Sequence, residues 1–260
     1  MFEDDPKPFI EHLEELRVCI LKCLGALTVG MILAAVFTND LLALLRSPLD
    51  PALKEHQIDP GRFLFMMNPL DPMTLTFQTA LFGGILFALP FMLFFIGQYL
   101  LPALSPRERR MLLPGAAVGC FLFILGVAFC YWIVLPRTMQ FLIAWSFELG
   151  AEPRYPYQEY IGMVVQLLAG FGAAFELPLI IAVLAKLGVI NSRFLATWRR
   201  HAVIVLLVLS AIITPTSDPF TLCAMAVPLY VLYEAGIVAA WWIERRAAAS
   251  DKVAEDPPSG

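Results

Sequence analysis

The sequence predicts an all-α polytopic membrane protein with six transmembrane helices, both termini in the cytoplasm and the last two helices short. Three observations lead there. Of 260 residues, 59% are hydrophobic and 15% charged, whereas ordinary soluble domains carry about 25% charged residues. The apolar residues gather into six runs separated by polar, proline-bearing segments. Lysine and arginine fall unevenly between alternate connections, as the positive-inside rule requires.

The first run covers about 18–37 and follows Pro8-Phe-Ile-Glu-His-Leu-Glu-Glu-Leu-Arg17. A secretory signal starts basic, but this chain starts Met1-Phe-Glu-Asp-Asp, so the first run is expected to be a retained span. The connection after it opens with Asn39-Asp-Leu-Leu-Ala-Leu-Leu-Arg46, a cap and a leucine-rich turn that suit an interfacial helix. Proline-rich irregular chain follows. The second run covers 73–101 and the third 111–135. Residues 136–160 carry Pro136, Pro153 and Pro156 with Tyr155, Tyr157 and Tyr160, an aromatic fringe near the interface. The fourth run covers 161–187.

The fifth run, 201–213, rises only roughly 20 Å against a hydrocarbon core about 30 Å thick. The sixth, 220–243, is interrupted by Glu234 and is expected to be short too. Two short neighbours thin the bilayer or let water inward. Asp71-Pro72, Ser105-Pro106 and Asp218-Pro219 each place a capping acceptor before a proline at a helix start. Residues 1–246 thus make a single transmembrane domain, and 247–260, rich in Ala, Asp and Pro, reads as a disordered cytoplasmic tail.

With the N-terminus in the cytoplasm, that side holds twelve Lys and Arg, the far side five, and Lys22 lies within the first span. Histidines 12, 56 and 201 are too scattered for a metal site. The five cysteines form no CxxC pair, so no cofactor or disulfide framework is expected. No GxxxxGK[ST] nucleotide motif and no HExxH motif occurs.

Charge near or inside lipid calls for a reason. Glu11 and Glu15 share a helix face that continues to Lys22, while Leu13, Leu16 and Ile20 form an apolar stripe elsewhere. An acidic first turn also suits the helix dipole, so both a helix start and a ligand-facing role remain open for these glutamates. Glu108 stands third in Ser105-Pro-Arg-Glu108, a capping box, which leaves one carboxylate oxygen for a ligand. Glu176 lies deep in the fourth run, two residues before Pro178. It either takes up the carbonyl that Pro178 leaves without a donor, or faces a cavity or partner helix. Asp218 reads most simply as a cap.

Five stretches together resemble TatC, the multi-spanning core of the twin-arginine protein translocase. They are Phe9-Ile-Glu-His-Leu-Glu-Glu-Leu-Arg17, Ser47-Pro-Leu49, Gln98-Tyr-Leu-Leu-Pro-Ala-Leu104 with Glu108-Arg-Arg110, Phe171-Gly-Ala-Ala-Phe-Glu-Leu-Pro178 and Thr214-Pro-Thr-Ser-Asp-Pro219. They fall in the family's order. The resemblance implies a six-helix fold with a concave cavity, and a receptor without enzymatic activity. It implies that Glu15 and Glu108 bind the paired arginines of a signal peptide, with Arg17 orienting the site. Tyr99 stands where the family usually has phenylalanine. Glu176 would face the cavity, Pro48 would shape the far-side cap, and Asp218 would sit in a tight far-side turn. Single-span partners of the TatA and TatB type, an oligomeric complex, and export of folded proteins driven by the proton-motive force are implied as well. The membrane would be the bacterial cytoplasmic one, since no transit peptide precedes the first run. Where the family often has a second basic residue, this chain has Cys19.

The main rival is a small-solute or ion transporter, which six spans and an intramembrane glutamate would suit. No inverted repeat is visible, and the acidic residues cluster toward the cytoplasmic surface. An intramembrane enzyme is a third reading, but the apolar cores hold no Asp for an aspartyl dyad.

Overall fold

A computed structural model describes residues 9–100, 112–214 and 219–255. In chain order the helices are α1 (Phe9–Val36), α2 (Thr38–Arg46), α3 (Asp50–Glu55), α4 (Pro60–Phe63), α5 (Asp71–Leu100), α6 (Leu112–Phe129), α7 (Leu135–Glu148), α8 (Tyr157–Phe175), α9 (Leu177–Lys186), α10 (Ser192–Thr197), α11 (Arg199–Ile213) and α12 (Pro219–Glu255). A 3-10 turn, Ser47–Leu49, precedes α3, and a π-turn, Cys130–Val134, joins α6 to α7. Two short strands, β1 (Leu64–Phe65) and β2 (Tyr155–Pro156), pair in parallel with Leu64 opposite Tyr155.

Helix dominates because lipid offers the backbone no hydrogen-bond partners. Five helical stretches are long and apolar enough to cross a membrane: Leu13–Val36, Asp71–Tyr99, Pro114–Glu148, Tyr157–Lys186 and Thr221–Arg246. The chain is a multi-pass membrane protein. At 15 residues, α11 is as short as its sequence predicts.

The helices form two compact groups, one of residues 1–45 and 67–120, the other of 46–66 and 121–260. In the first group α1 packs along α5. The backbones touch at two glycines: a Cβ at Gly30 would lie 2.6 Å from the Gly84 carbonyl oxygen. Small residues permit this approach between membrane helices, where dispersion between closely packed surfaces replaces the hydrophobic drive. Asp71 starts α5, but its carboxylate turns backward. It accepts the N–H groups of Met67 at 2.8 Å and Asn68 at 3.0 Å, tying down the preceding chain rather than capping the helix it opens.

In the second group α7 packs on the 3-10 turn and α3, and Pro48, Leu49, Ala52 and Leu53 are buried there. Gly126 of α6 lets the α8 backbone come close, since a Cβ would stand 2.6 Å from the Phe171 carbonyl. The rings of Phe171 and Phe175 lie 5.9 and 5.7 Å from Phe129. α9, α10 and α11 each pack against α12.

The structure changes other expectations besides the Asp71 cap. The third run does not end at Pro136; helix continues to Glu148. The π-turn explains this. The Leu135 amide donates to the Cys130 carbonyl five residues back, and this wider ring accommodates a proline that would break a regular α-helix. The sixth helix is not short, since α12 runs 37 residues and its apolar stretch, Thr221–Arg246, has 26. Glu234 does not end it, because that carboxylate has a cationic partner. Helix also continues to Glu255 where an irregular tail is expected. The caps expected at Ser105 and Asp218 lie outside the described residues.

Candidate functional site

Glu15 sits on the face of α1 that meets α5. One turn further on, the Cys19 thiol donates to the Phe95 carbonyl at 3.5 Å. Two turns further on, the Lys22 ammonium stands 5.9 Å from the Phe95 ring centroid, a cation–π contact. The helix period carries this stripe through positions 15, 19 and 22. α1 and α5 run in opposite directions, so one turn back from Cys19 on α1 corresponds to one turn beyond Phe95 on α5. Glu15 and Tyr99 therefore share a level. Both are half-buried, whereas Glu14 and Arg17 are exposed. Arg17 is two residues from Glu15, so its side chain leaves α1 on another face. Glu108 lies outside the described residues, as does Asp218.

The stripe also gives Cys19 a role where a basic residue is common in the resembling family. Cys19 is buried against α5, so a longer charged side chain has no room there without displacing the Phe95 contact.

Glu176 occupies the joint between α8 and α9, with φ −72° and ψ −16°. Pro178 lacks an N–H, and the helix is interrupted there, resuming at Leu177. The side chain is only 9% exposed, and its Oε1 is buried with no hydrogen-bond partner among the described residues. Pro48 is buried at the start of the 3-10 turn, where its fixed φ suits a tight bend.

Sequence reasoning missed one ion pair. Arg199, opening α11, makes a two-pronged contact with Glu234 of α12, at 2.7 Å from Nε and 2.8 Å from Nη2. The Tyr230 hydroxyl donates to the same carboxylate at 3.0 Å. The guanidinium is always charged and its planar fork matches the carboxylate with two parallel hydrogen bonds. The available signal was a lone acid one long helix away from an arginine at the mouth of a short one. Nearby, Ser192 donates its N–H (2.6 Å) and its hydroxyl (2.5 Å) to Glu244, and the Tyr233 hydroxyl donates to the Leu195 carbonyl at 2.8 Å.

The model of the family described as Sec-independent protein translocase protein TatC matches residues 11–228. The chain belongs to the TatC family. The TatC of Deinococcus radiodurans is 39% identical over 233 residues, which is 89% of this chain and 84% of that one. The TatC of Aquifex aeolicus is 35% identical over 231 residues, 88% of this chain and 93% of that one. The TatC of Akkermansia muciniphila is 38% identical over 188 residues, 72% of this chain, and that match spans only 54% of its own length. A crystal structure of the twin-arginine translocase receptor TatC superposes with a TM-score of 0.79 at 33% identity, covering 90% of this chain and 99% of the other. A second, in the detergent DDM, gives 0.78 at 34% identity, covering 88% and 99%. TatC proteins are translocase components and not enzymes, and nothing in these likenesses supports the small-solute transporter reading.

Proposed function

We propose that this TatC protein receives twin-arginine signal peptides at its cytoplasmic face and forms the membrane core of the translocase that exports folded proteins. The observation that carries the reading is the family match over 11–228, which includes both acidic stretches, around Glu15 and Glu108. The α1–α5 geometry supports it by setting Glu15 half-buried beside the level of Tyr99.

The chemistry follows from the guanidinium group. It is planar, always charged, and matches a carboxylate with two parallel hydrogen bonds. Glu15 and Glu108 each take one arginine of the pair. At the membrane edge the lower dielectric strengthens both contacts. Tyr99 offers its ring for guanidinium stacking. Arg17, on another face of α1, keeps the acidic turn from repelling itself and biases the glutamates toward the ligand. The apolar part of the signal then runs along the spans toward Glu176, which lines a concave cavity. Pro48 shapes the far-side cap and Asp218 the tight far-side turn.

Six spans place both termini in the cytoplasm, α11 being the short fifth. Single-span partners of the TatA and TatB type assemble against this core into an oligomer, and the proton-motive force drives transport across the bacterial cytoplasmic membrane. The direct test is binding of a twin-arginine peptide to the purified chain. Glu15→Gln and Glu108→Gln should each weaken it about 10- to 100-fold, the worth of a charge-assisted hydrogen-bonded pair. Replacing the peptide's arginines with lysine should weaken it similarly. Unchanged binding in both variants removes the site assignment.

A further inference from the structure

The end of the second group that carries α10, the start of α11 and the last apolar turns of α12 has an unusual division of charge. Its two acids are consumed internally. Glu234 is held by Arg199 and Tyr230. Glu244 is held by the backbone and hydroxyl of Ser192. These contacts lay α10 and the mouth of α11 along α12 over ten residues, about 15 Å of helix. Four arginines, Arg193, Arg200, Arg245 and Arg246, are left exposed with no carboxylate partner among the described residues.

Aromatic rings accompany them. Trp198 and Trp241 are exposed in this same region. The Arg245 guanidinium lies 4.3 Å from the Trp241 ring centroid, which fixes its direction. The His201 ring rests 4.6 Å from Trp198. Tryptophan prefers the headgroup level of a bilayer, and arginine beside it meets phosphate rather than hydrocarbon. A surface that pairs unneutralised arginine with interfacial tryptophan, at the rim of membrane helices, has the chemistry of an anionic headgroup site.

We propose that this surface binds anionic phospholipid, with headgroup phosphates met by Arg193, Arg245 and Arg246 at the level of Glu244 and by Arg200 at the level of Glu234, and with the lipids lying against Trp198 and Trp241. The bound lipid would cover the joint where the short α11 is tied to α12. The inference rests on the membrane placement of the chain and not on the signal-peptide site. Charge complementarity selects the occupant. An acidic protein segment would satisfy the arginines but leave the exposed tryptophans uncovered.

The test is native mass spectrometry of the full-length detergent-solubilised chain, titrated with phosphatidylglycerol or with phosphatidylcholine of the same acyl chains. The wild type should retain phosphatidylglycerol at least about tenfold more strongly, given what each basic residue near a charged lipid surface contributes. The fourfold variant Arg193→Gln, Arg200→Gln, Arg245→Gln, Arg246→Gln should lose that preference. The corresponding Arg→Lys variant should keep most of it, and Arg62→Gln with Arg154→Gln should keep all of it. Gel filtration checks that each variant stays monodisperse. If the fourfold variant fails that check, the pairs Arg193→Gln with Arg200→Gln and Arg245→Gln with Arg246→Gln are compared instead. Equal retention of the two lipids by the wild type overturns the proposal. So does a preference that survives the arginine substitutions, or one that inorganic phosphate at equal concentration abolishes.

Discussion

A carboxyl group inside a bilayer costs a few kcal/mol unless it is protonated, paired or wet. Glu176 faces that cost at a helix joint, where its Oε1 is buried with no hydrogen-bond partner among the described residues. Glu176→Gln removes the possibility of charge and keeps the shape. It should leave the thermal midpoint unchanged or raise it by a few degrees, as expected for relief of about 1 kcal/mol in a chain of this size. A fall of several degrees would mean that the carboxyl group has a partner in the folded protein. Gln57 shows a different residue-level cost. It follows α3 with φ +54°, in the left-handed region that non-glycine residues resist. Gln57→Gly should stabilise the protein by about 1 kcal/mol, measured by thermal or urea unfolding in detergent.

At the scale of elements, contacts between neighbouring helices decide more than propensity does. α1 and α5 meet at Gly30 and Gly84, where the atom in the way of a Cβ is backbone and cannot rotate aside. Gly30→Leu should therefore force the helices apart, at a cost of about 1–3 kcal/mol, the usual range for overpacking. A shift in the Cys19–Phe95 separation, read by crosslinking, would accompany it. Gly25→Leu, on the same helix with open space around it, should cost far less. α11 depends on the Arg199–Glu234 pair. Arg199→Ala and Glu234→Ala should each lower the thermal midpoint, and the double variant should lose less than the sum of the two. Additive losses would show that the two side chains act independently.

At the scale of the whole molecule, the expected orientation makes a clear demand. Single cysteines replacing Ala249 or Ser250 should react with a membrane-impermeant maleimide only in inverted vesicles, and those replacing Glu55 or Glu152 only in right-side-out cells. Labelling of both sets from the same side would remove the N-in, C-in reading. Much of the architecture was legible because lipid permits few solutions. Five spans appear as long apolar runs, and the amphipathic stretch after the first span is the helix α2 that Asn39–Arg46 announced. Glu15 stood out from Glu14 because its stripe reaches Lys22, and the structure places that stripe against Phe95.

Two misreadings have a common cause. Pro136 looked like the end of a span and Glu234 like the interruption of one. Each judgement treated a residue's intrinsic cost as final. In the fold the cost is met elsewhere: a π-turn just before α7 absorbs the proline, and an arginine 35 positions away neutralises the glutamate. The sequence by itself determined the membrane class, the helical elements and the family, since hydrocarbon constrains every backbone group and the family's stretches are local strings. Tertiary structure decided which charges are satisfied. It paired Glu234 with Arg199 and enclosed Glu244 with Ser192, and among the described residues it gave Glu176 Oε1 no hydrogen-bond partner and four arginines no carboxylate partner. That outcome depends on which helix lies against which, and pairwise distance is not written in the order of residues along the chain.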